Sequence, residues 1–228
     1  MGSIFLVRHA TTAASAAGAN LGQASDPSLT SHGQVLATRL GRAIVLELAA
    51  LPHDEMRLIS SLARRCLATA AAIGAALEAD AAGLSTSVED GLREVDYGAW
   101  EGLTPEECRR RDPELRAAWE ADPYVTRAPD GESGQEVAAR AFPVLDVLEA
   151  WLAAVPSRAA VVVSHNHVVR LRLAALLGIP LPDYRRRLRV EPGSYSVLTF
   201  ASGVDGPSVR RIAAMPPDGP IGGGTYNA

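Results

Sequence analysis

Ala159-Ala160-Val161-Val162-Val163-Ser164-His165-Asn166-His167 is the stretch on which the architecture turns. Five apolar residues in succession, without polar alternation, read as a strand buried on both faces, as in a parallel sheet covered by helices on each side. The run stops abruptly in a polar cluster with two imidazoles. Working outward, Ser3–Val7 is a second buried strand that runs straight into Arg8-His9. Arg57–Ser60 is a third, followed by Ser61 and, one helical turn on, Arg65. Helical segments separate these strands. Residues 30–51 open on Thr30/Ser31 with Gln34 placed as a capping-box partner, and Leu62–Leu77 is Ala-rich. Ser133-Gly134-Gln135-Glu136 starts a long helix ending near Pro156, and 167–177 is stopped by Gly178-Ile179-Pro180. Tyr195–Phe200 and Ser208–Ala213 complete the set as strands. The alternation predicts an α/β three-layer sandwich: a mostly parallel central sheet with helices on both faces.

Length and composition bound the rest. The 228 residues suit one domain, over 1–215. A loop-rich, lid-like insert occupies about 80–132, with a short helix starting at Thr104-Pro105-Glu106-Glu107. Residues 216–228, with Gly222-Gly223-Gly224, read as a flexible tail. A formal net charge of −4 argues against nucleic acid as a partner. All 22 basic residues are Arg, which excludes Schiff-base chemistry, pyridoxal phosphate attachment and the lysine of a P-loop. The Arg runs 109–111 and 185–187 read as solvated helix faces. Cys66 and Cys108 make no disulfide framework and no Cys-x-x-Cys, which suits a reducing, cytoplasmic setting. No apolar stretch approaches the roughly 18 residues that would span a membrane, and the N-terminus lacks the pattern of a secretion signal.

In such sheets ligands bind outside the carboxyl ends of the strands, and three of these ends carry chemistry-bearing side chains. A lone His at a strand end is ordinarily structural; two at separate ends are more informative. If the strands are neighbours, His9 and His165 face each other. With Arg8 and Arg65 they form a cavity suited to a dianionic phosphoryl group. Glu94 lies in Leu92-Arg93-Glu94-Val95-Asp96-Tyr97-Gly98-Ala99-Trp100-Glu101-Gly102. Spacing alone makes Glu94 a surface charge, yet this segment has no clean helical or strand period, as active-site loops often do. The leaving group of a substrate would rest against the insert, where Tyr97, Trp100 and Arg127 are candidate liners. Trp100 taken singly reads as core.

These residues resemble the histidine phosphatase superfamily, which includes the phosphoglycerate mutases and many small-molecule phosphatases. Leu6-Val7-Arg8-His9-Ala10-Thr11-Thr12 is similar to its opening motif. Leu29-Thr30-x-x-Gly33-Gln34, Ser60-Ser61 with Arg65 and Thr69-Ala70, Leu92–Gly102, Gly131-Glu132-Ser133 with Arg140, and Val163-Ser164-His165 follow in the family's order. The resemblance implies that His9 is the nucleophile that becomes phosphorylated and that Glu94 is the general acid and base. It implies that Arg8, Arg65 and His165 bind the phosphoryl oxygens, without metal or other cofactor. Five residues depart from the pattern. Ala10 replaces the usual Gly, Ser15 stands where an Asn contacts phosphate, Ala68 stands where the third block often has Gln, and Asn166-His167 replaces Gly-Gly. Ser15 and Asn166 are accordingly phosphate-binding candidates, and His167 is given no role. Many relatives form dimers, so a homodimer is compatible.

The expected activity is hydrolysis of a small-molecule phosphate monoester through a phosphohistidine. Three rivals remain. A cofactor-dependent phosphoglycerate mutase shares the first and last motifs but usually lacks Trp-Glu-Gly, present here at Trp100-Glu101-Gly102. A metal hydrolase would use His165-x-His167 as a zinc pair, though no third ligand stands at convincing spacing. A catalytically idle binding protein of the same fold would have no need of His9, Arg8, Arg65, Glu94 and His165 together.

Overall fold

The computed structural model describes residues 1–51, 53–78, 84–201, 204 and 206–218. One six-stranded sheet runs through it, in the order β3-β2-β4-β1-β5-β6. The strands are β1 (Gly2–Arg8), β2 (Glu55–Ser60), β3 (Leu84–Val88), β4 (Arg158–Ser164), β5 (Tyr195–Phe200) and β6 (Ser208–Ala214). β3, β2, β4 and β1 are mutually parallel; β5 runs antiparallel to β1, and β6 antiparallel to β5.

Both faces of the central strands are covered, which is why their sequences show no polar alternation. Phe5 and Val7 of β1, with Val161 and Val163 of β4, pack on α2 (Ser31–Ala49) and α3 (Arg64–Leu77) through Leu40, Ile44, Cys66 and Ile73. Ile4 and Leu6, with Ala160 and Val162, face the other way. There they meet α6 (Gly134–Ala154) and α7 (Asn166–Leu176) through Leu145, Leu148 and Leu171. The three-layer expectation holds, and the long helices lie where their caps place them. Thr30 caps α2 by accepting from Gly33 N, and Ser133 forms a full capping box with Glu136 at α6.

Several elements depart from the sequence reading. β3 belongs to the sheet, paired with β2, rather than to the insert, which therefore begins after Val88. Its residues Leu84-Ser85-Thr86-Ser87-Val88 offer no apolar run because it is an exposed edge strand. The insert also holds α4 (Pro105–Arg111), which starts at the expected Thr104 box, and an unanticipated α5 (Pro113–Ala121). It is no loosely attached lid: Leu92, Val95, Trp100, Cys108 and Trp119 belong to the same apolar core as α6 and α7. A four-residue α1 (Ala13–Ala16) follows β1, and α8 (Tyr184–Arg187) follows α7. Of the expected tail, Pro216–Asp218 lie against α2, where Arg39 donates to the Pro216 and Pro217 carbonyls and pairs with Asp218. Residues 219–228 lie outside the described residues.

Gly33 shows how the fold supports the segment after His9. Thr30 N donates to Thr11 O at 3.0 Å, docking the start of α2 on the chain just past β1. A Cβ on Gly33 would stand 2.1 Å from that same Thr11 oxygen. Gly33→Ala must therefore push α2 off residues 10–12, at a cost of about 1–3 kcal/mol for overpacking. A fall in the urea midpoint, with a loss of activity larger than the unfolded fraction accounts for, is the expected result. Unchanged stability would show that the contact yields freely.

Candidate active site

The site grows from the ends of β1 and β4. The parallel register sets Arg8 opposite Ser164, and His9 N donates to Ser164 O at 2.9 Å, adding one more rung. The next residues, His9 and His165, therefore leave the sheet side by side, with ring centroids 5.3 Å apart and planes at 66°. His9 Nδ1 lies 2.8 Å from Ala10 O. A carbonyl only accepts, so Nδ1 carries the proton and Nε2 keeps its lone pair. Burial, reinforced by Arg8 and Arg65, holds the imidazole well below its ordinary range, and it is neutral. Ala10 fits without strain: its φ is negative, and its N–H donates to Thr69 Oγ1 at 3.0 Å.

A cavity of about 130 Å³ opens in front of His9, lined also by Arg8, Ser15, Glu94, Tyr97 and Asn166. Arg8 Nη1 donates to Val190 O at 2.6 Å, which fixes the guanidinium, while its buried Nε has no partner. Arg65 and His165 face an adjoining cavity of about 150 Å³, and Glu94 lines both. Arg65 Nη2 donates to Gly22 O at 2.9 Å, and Nη1 lies 3.5 Å from the Asp26 carboxylate. The same Nη2 is 3.3 Å from His165 Nδ1, so that nitrogen accepts. His165 Nε2 then donates to Ser61 Oγ at 2.9 Å. Burial and the Arg65 charge keep His165 neutral as well.

Glu94 is buried, not a surface charge. Its Oε2 accepts from Asn166 N at 3.0 Å and its Oε1 from His167 N at 3.2 Å, at the first turn of α7. Burial nevertheless outweighs these N–H groups and raises the carboxyl above its ordinary value. Arg140 holds the loop that presents it. Nη1 donates to Gly91 O and Arg93 O at 2.8 and 2.7 Å, Nη2 to Glu94 O at 2.9 Å, and the guanidinium grips Glu132 at 2.8 Å. Gln23 Nε2 also donates to Glu94 O, at 2.8 Å.

The remaining expectations divide. Ser15 lines the cavity, but its hydroxyl donates to Thr12 O at 3.0 Å and belongs to the capping box of α1. Asn166 presents a buried Oδ1 without partner. Tyr97 lines the cavity and its hydroxyl meets His167 Nε2 at 2.8 Å. Trp100 does not line it: the ring is fully buried, with Nε1 donating to Asp112 at 2.6 Å. Arg127 is also misplaced, an exposed side chain paired with Glu136 at the start of α6. His167 packs between Tyr97 and Tyr184, its Nδ1 2.5 Å from the Tyr184 hydroxyl, so it shares no ligand position with His165. Among the described residues, no three His, Cys, Asp or Glu side chains cluster as a metal site would require. Arg185, expected with Arg186 and Arg187 on a solvated helix face, instead lines the His9 cavity, and only its two neighbours are exposed.

The profile of the Histidine phosphatase superfamily (branch 1) matches residues 4–213. Glucosyl-3-phosphoglycerate phosphatase of Mycolicibacterium vanbaalenii is 32% identical over 186 residues, 79% of this chain and 76% of that protein. Phosphoserine phosphatase 1 of Hydrogenobacter thermophilus is 30% identical over 200 residues, 87% of this chain and 86% of its own length. The structure of a mycobacterial glucosyl-3-phosphoglycerate phosphatase in complex with VO3 superposes with a TM-score of 0.76 at 25% identity. The match covers 92% of this chain and 97% of that one.

Three buried imidazoles held neutral have a consequence for stability. His9, His165 and His167 all lie well below the ordinary value of 6.5, with burial the first cause in each. A depressed His contributes stability that is present above its unfolded value and lost as pH falls, because only the unfolded chain binds the proton. Together they set a slope approaching about 4 kcal/mol per pH unit below pH 6.5. Urea midpoints should be level near pH 7–8 and fall steeply toward pH 5. His167→Phe, which removes one of the three, should shed about a third of that slope. An unaltered slope would contradict the neutral assignment of His167.

Proposed function

This chain belongs to the histidine phosphatase superfamily (branch 1), and on that premise we propose that it works through His9 as nucleophile and Glu94 as proton donor and acceptor. The chain is a phosphatase of small-molecule phosphate monoesters. In the first step His9 Nε2 attacks phosphorus, the P–O bond to the leaving group breaks, and Glu94 gives its proton to the departing oxygen. In the second, the Glu94 carboxylate takes a proton from water as that water attacks phosphorus. The P–N bond then breaks and inorganic phosphate leaves. Arg8 and Arg65 clamp the non-bridging oxygens, and Asn166 and His165 complete the cradle, His165 once its Nε2–H leaves Ser61 Oγ for a phosphoryl oxygen.

One observation carries this reading. The His9 Nδ1–H bond to Ala10 O leaves the Nε2 lone pair for a cavity in which, among the described residues, Glu94 is the only lining carboxyl. Burial serves both partners, since it keeps His9 unprotonated and Glu94 protonated before substrate arrives. The segment ending Trp100-Glu101-Gly102 favours net hydrolysis over the mutase reading. Glu101 supports it structurally: Oε1 and Oε2 accept from Ala24 N at 3.0 Å, tying the insert to the loop over Arg65. A monoester of phosphoglycerate or of an amino acid, as the names of the two relatives suggest, is a reasonable first substrate panel. Free, buried Cys66 and Cys108 support a cytoplasmic setting.

Phosphate release from such a panel, with rapid quenching, tests the mechanism. His9→Ala should lower kcat by about 10⁴-fold or more, and the wild-type enzyme should yield an acid-labile, base-stable phosphoryl adduct. Glu94→Gln should lower kcat about 10²–10⁴-fold and abolish the alkaline limb of the pH profile, which marks deprotonation of Glu94. EDTA should leave the rate unchanged. Isomerisation without net phosphate release would overturn the hydrolase assignment, and full activity in His9→Ala would overturn the nucleophile.

A further inference from the structure

We propose that Arg185 forms a second anion subsite beside the phosphoryl cradle, selecting monoesters whose leaving group carries a carboxylate. The inference rests on the phosphatase reading and adds a substrate class to it. The helix α8 carries three consecutive Arg, and they part company. Arg186 and Arg187 turn outward and pair with Asp183 at 2.6 and 3.2 Å. Arg185 turns inward, its guanidinium 4.3 Å from the centroid of the Trp119 ring, and lines the His9 cavity.

The charge around it is uncompensated. Elsewhere, most buried or half-buried Arg have a carboxylate; Arg57, which stacks on Trp151 at 4.0 Å, is an exception among the described residues. Arg172 has Glu149 and Asp146, Arg140 has Glu132, Arg116 has Glu120, and Arg65 has Asp26 at 3.5 Å. Among the described residues, no carboxylate lies within 4 Å of Arg8, Arg170 or Arg185. The Nε of each is buried without a partner. The three charges feel one another: burial together with Arg185 and Arg8 pulls Arg170 down to about 10. Arg8 and Arg185 line one cavity, each with a buried Nε that has no partner, and that pair of open guanidinium groups suits an anion from outside.

The phosphoryl group does not use them all. A dianion on His9 is met by Arg8 and Arg65, which leaves Arg185, in the wall of the same cavity, for the leaving group. Tyr97 lines that cavity too and offers an apolar ring edge. A planar carboxylate matches the guanidinium fork in two parallel hydrogen bonds. Stacking on Trp119 holds that fork in place before substrate arrives, so little entropy is lost on binding. The cavity's small volume restricts the anion to a position a few bonds from phosphorus.

The probes are 3-phosphoglycerate and glycerol 3-phosphate, which differ only by a carboxylate in place of a hydroxymethyl group, with p-nitrophenyl phosphate as a reference. Initial rates of phosphate release give kcat/KM for each. Wild-type enzyme should prefer the carboxylate ester at least tenfold, and Arg185→Met and Arg185→Gln should bring that ratio to near one. Arg186→Met, on the outer side of the same turn, should keep it. The ratio does not depend on the fraction of enzyme folded, so instability of a variant does not imitate the effect. A wild-type ratio of one or less, or one that survives both Arg185 changes, would overturn the subsite while leaving the hydrolase intact. No release from any of the three esters would overturn both.

Discussion

The parallel ladder between β1 and β4 is the constraint from which the site follows. Arg8 stands opposite Ser164, and Ser60 of β2 stands opposite Val163. That register alone brings His9, His165 and Ser61 to one edge, where Ser61 N donates to Val163 O at 2.9 Å and Ser61 Oγ receives the His165 proton. A slip by one residue would send His165 to the opposite face and separate the imidazoles. What prevents it is apolar side chains on both faces. Ile4, Leu6, Ala160 and Val162 fit the α6–α7 layer, and Phe5, Val7, Val161 and Val163 fit the α2–α3 layer. Register is specified twice over, once from each side.

Around that edge the protein stores positive charge in a dry place. Arg65 is buried and Arg8 half-buried, and the groups beside them adjust: the His residues stay neutral and Glu94 resists ionisation. On the proposed mechanism a phosphate dianion would answer these pressures: it would compensate the guanidinium groups, reinforce the proton on Glu94, and lie against an imidazole that already offers a lone pair. Interactions of this kind strengthen as charge accumulates on the transferring group, so they act on the barrier more than on ground-state binding.

Much of this was legible in the sequence because the relevant signals are local. Abrupt apolar-to-polar boundaries at Val7-Arg8 and Val163-Ser164 mark strand ends, and N-cap pairs at Thr30, Thr104 and Ser133 mark helix starts. What escaped depends on long-range packing. β3 is polar because one edge and much of its surface meet water, so no period announces it. α5 buries little beyond Arg116 and Trp119, and a stripe containing a guanidinium does not register as apolar. Trp100 and Arg127 lie in the right segment but on the wrong side of it. Arg185 was lost in a run of three like charges whose members differ only in the direction a short helix turns them. For Glu94, periodicity favoured a solvated carboxylate. The grip of Arg140 on the Gly91, Arg93 and Glu94 carbonyls, with Gln23 on the last of these, turns the chain inward there.

The absence of lysine from the chain has two explanations that apply to different residues. On exposed surfaces, where Arg109, Arg186 or Arg189 pairs with a nearby acid, an ammonium would serve as well, and the choice carries no structural weight. The buried positions are different. Arg140 makes five hydrogen bonds with a flat, forked group, to three backbone carbonyls and both oxygens of Glu132. Arg65 reaches two carbonyls of the 22–25 segment and His165 from one plane. A lysine has three donors on a single rotating atom and would lose its proton under comparable burial, whereas a guanidinium keeps its charge. The site therefore needs arginine at these positions for geometry and for permanence of charge, whatever fixed the composition of the surface.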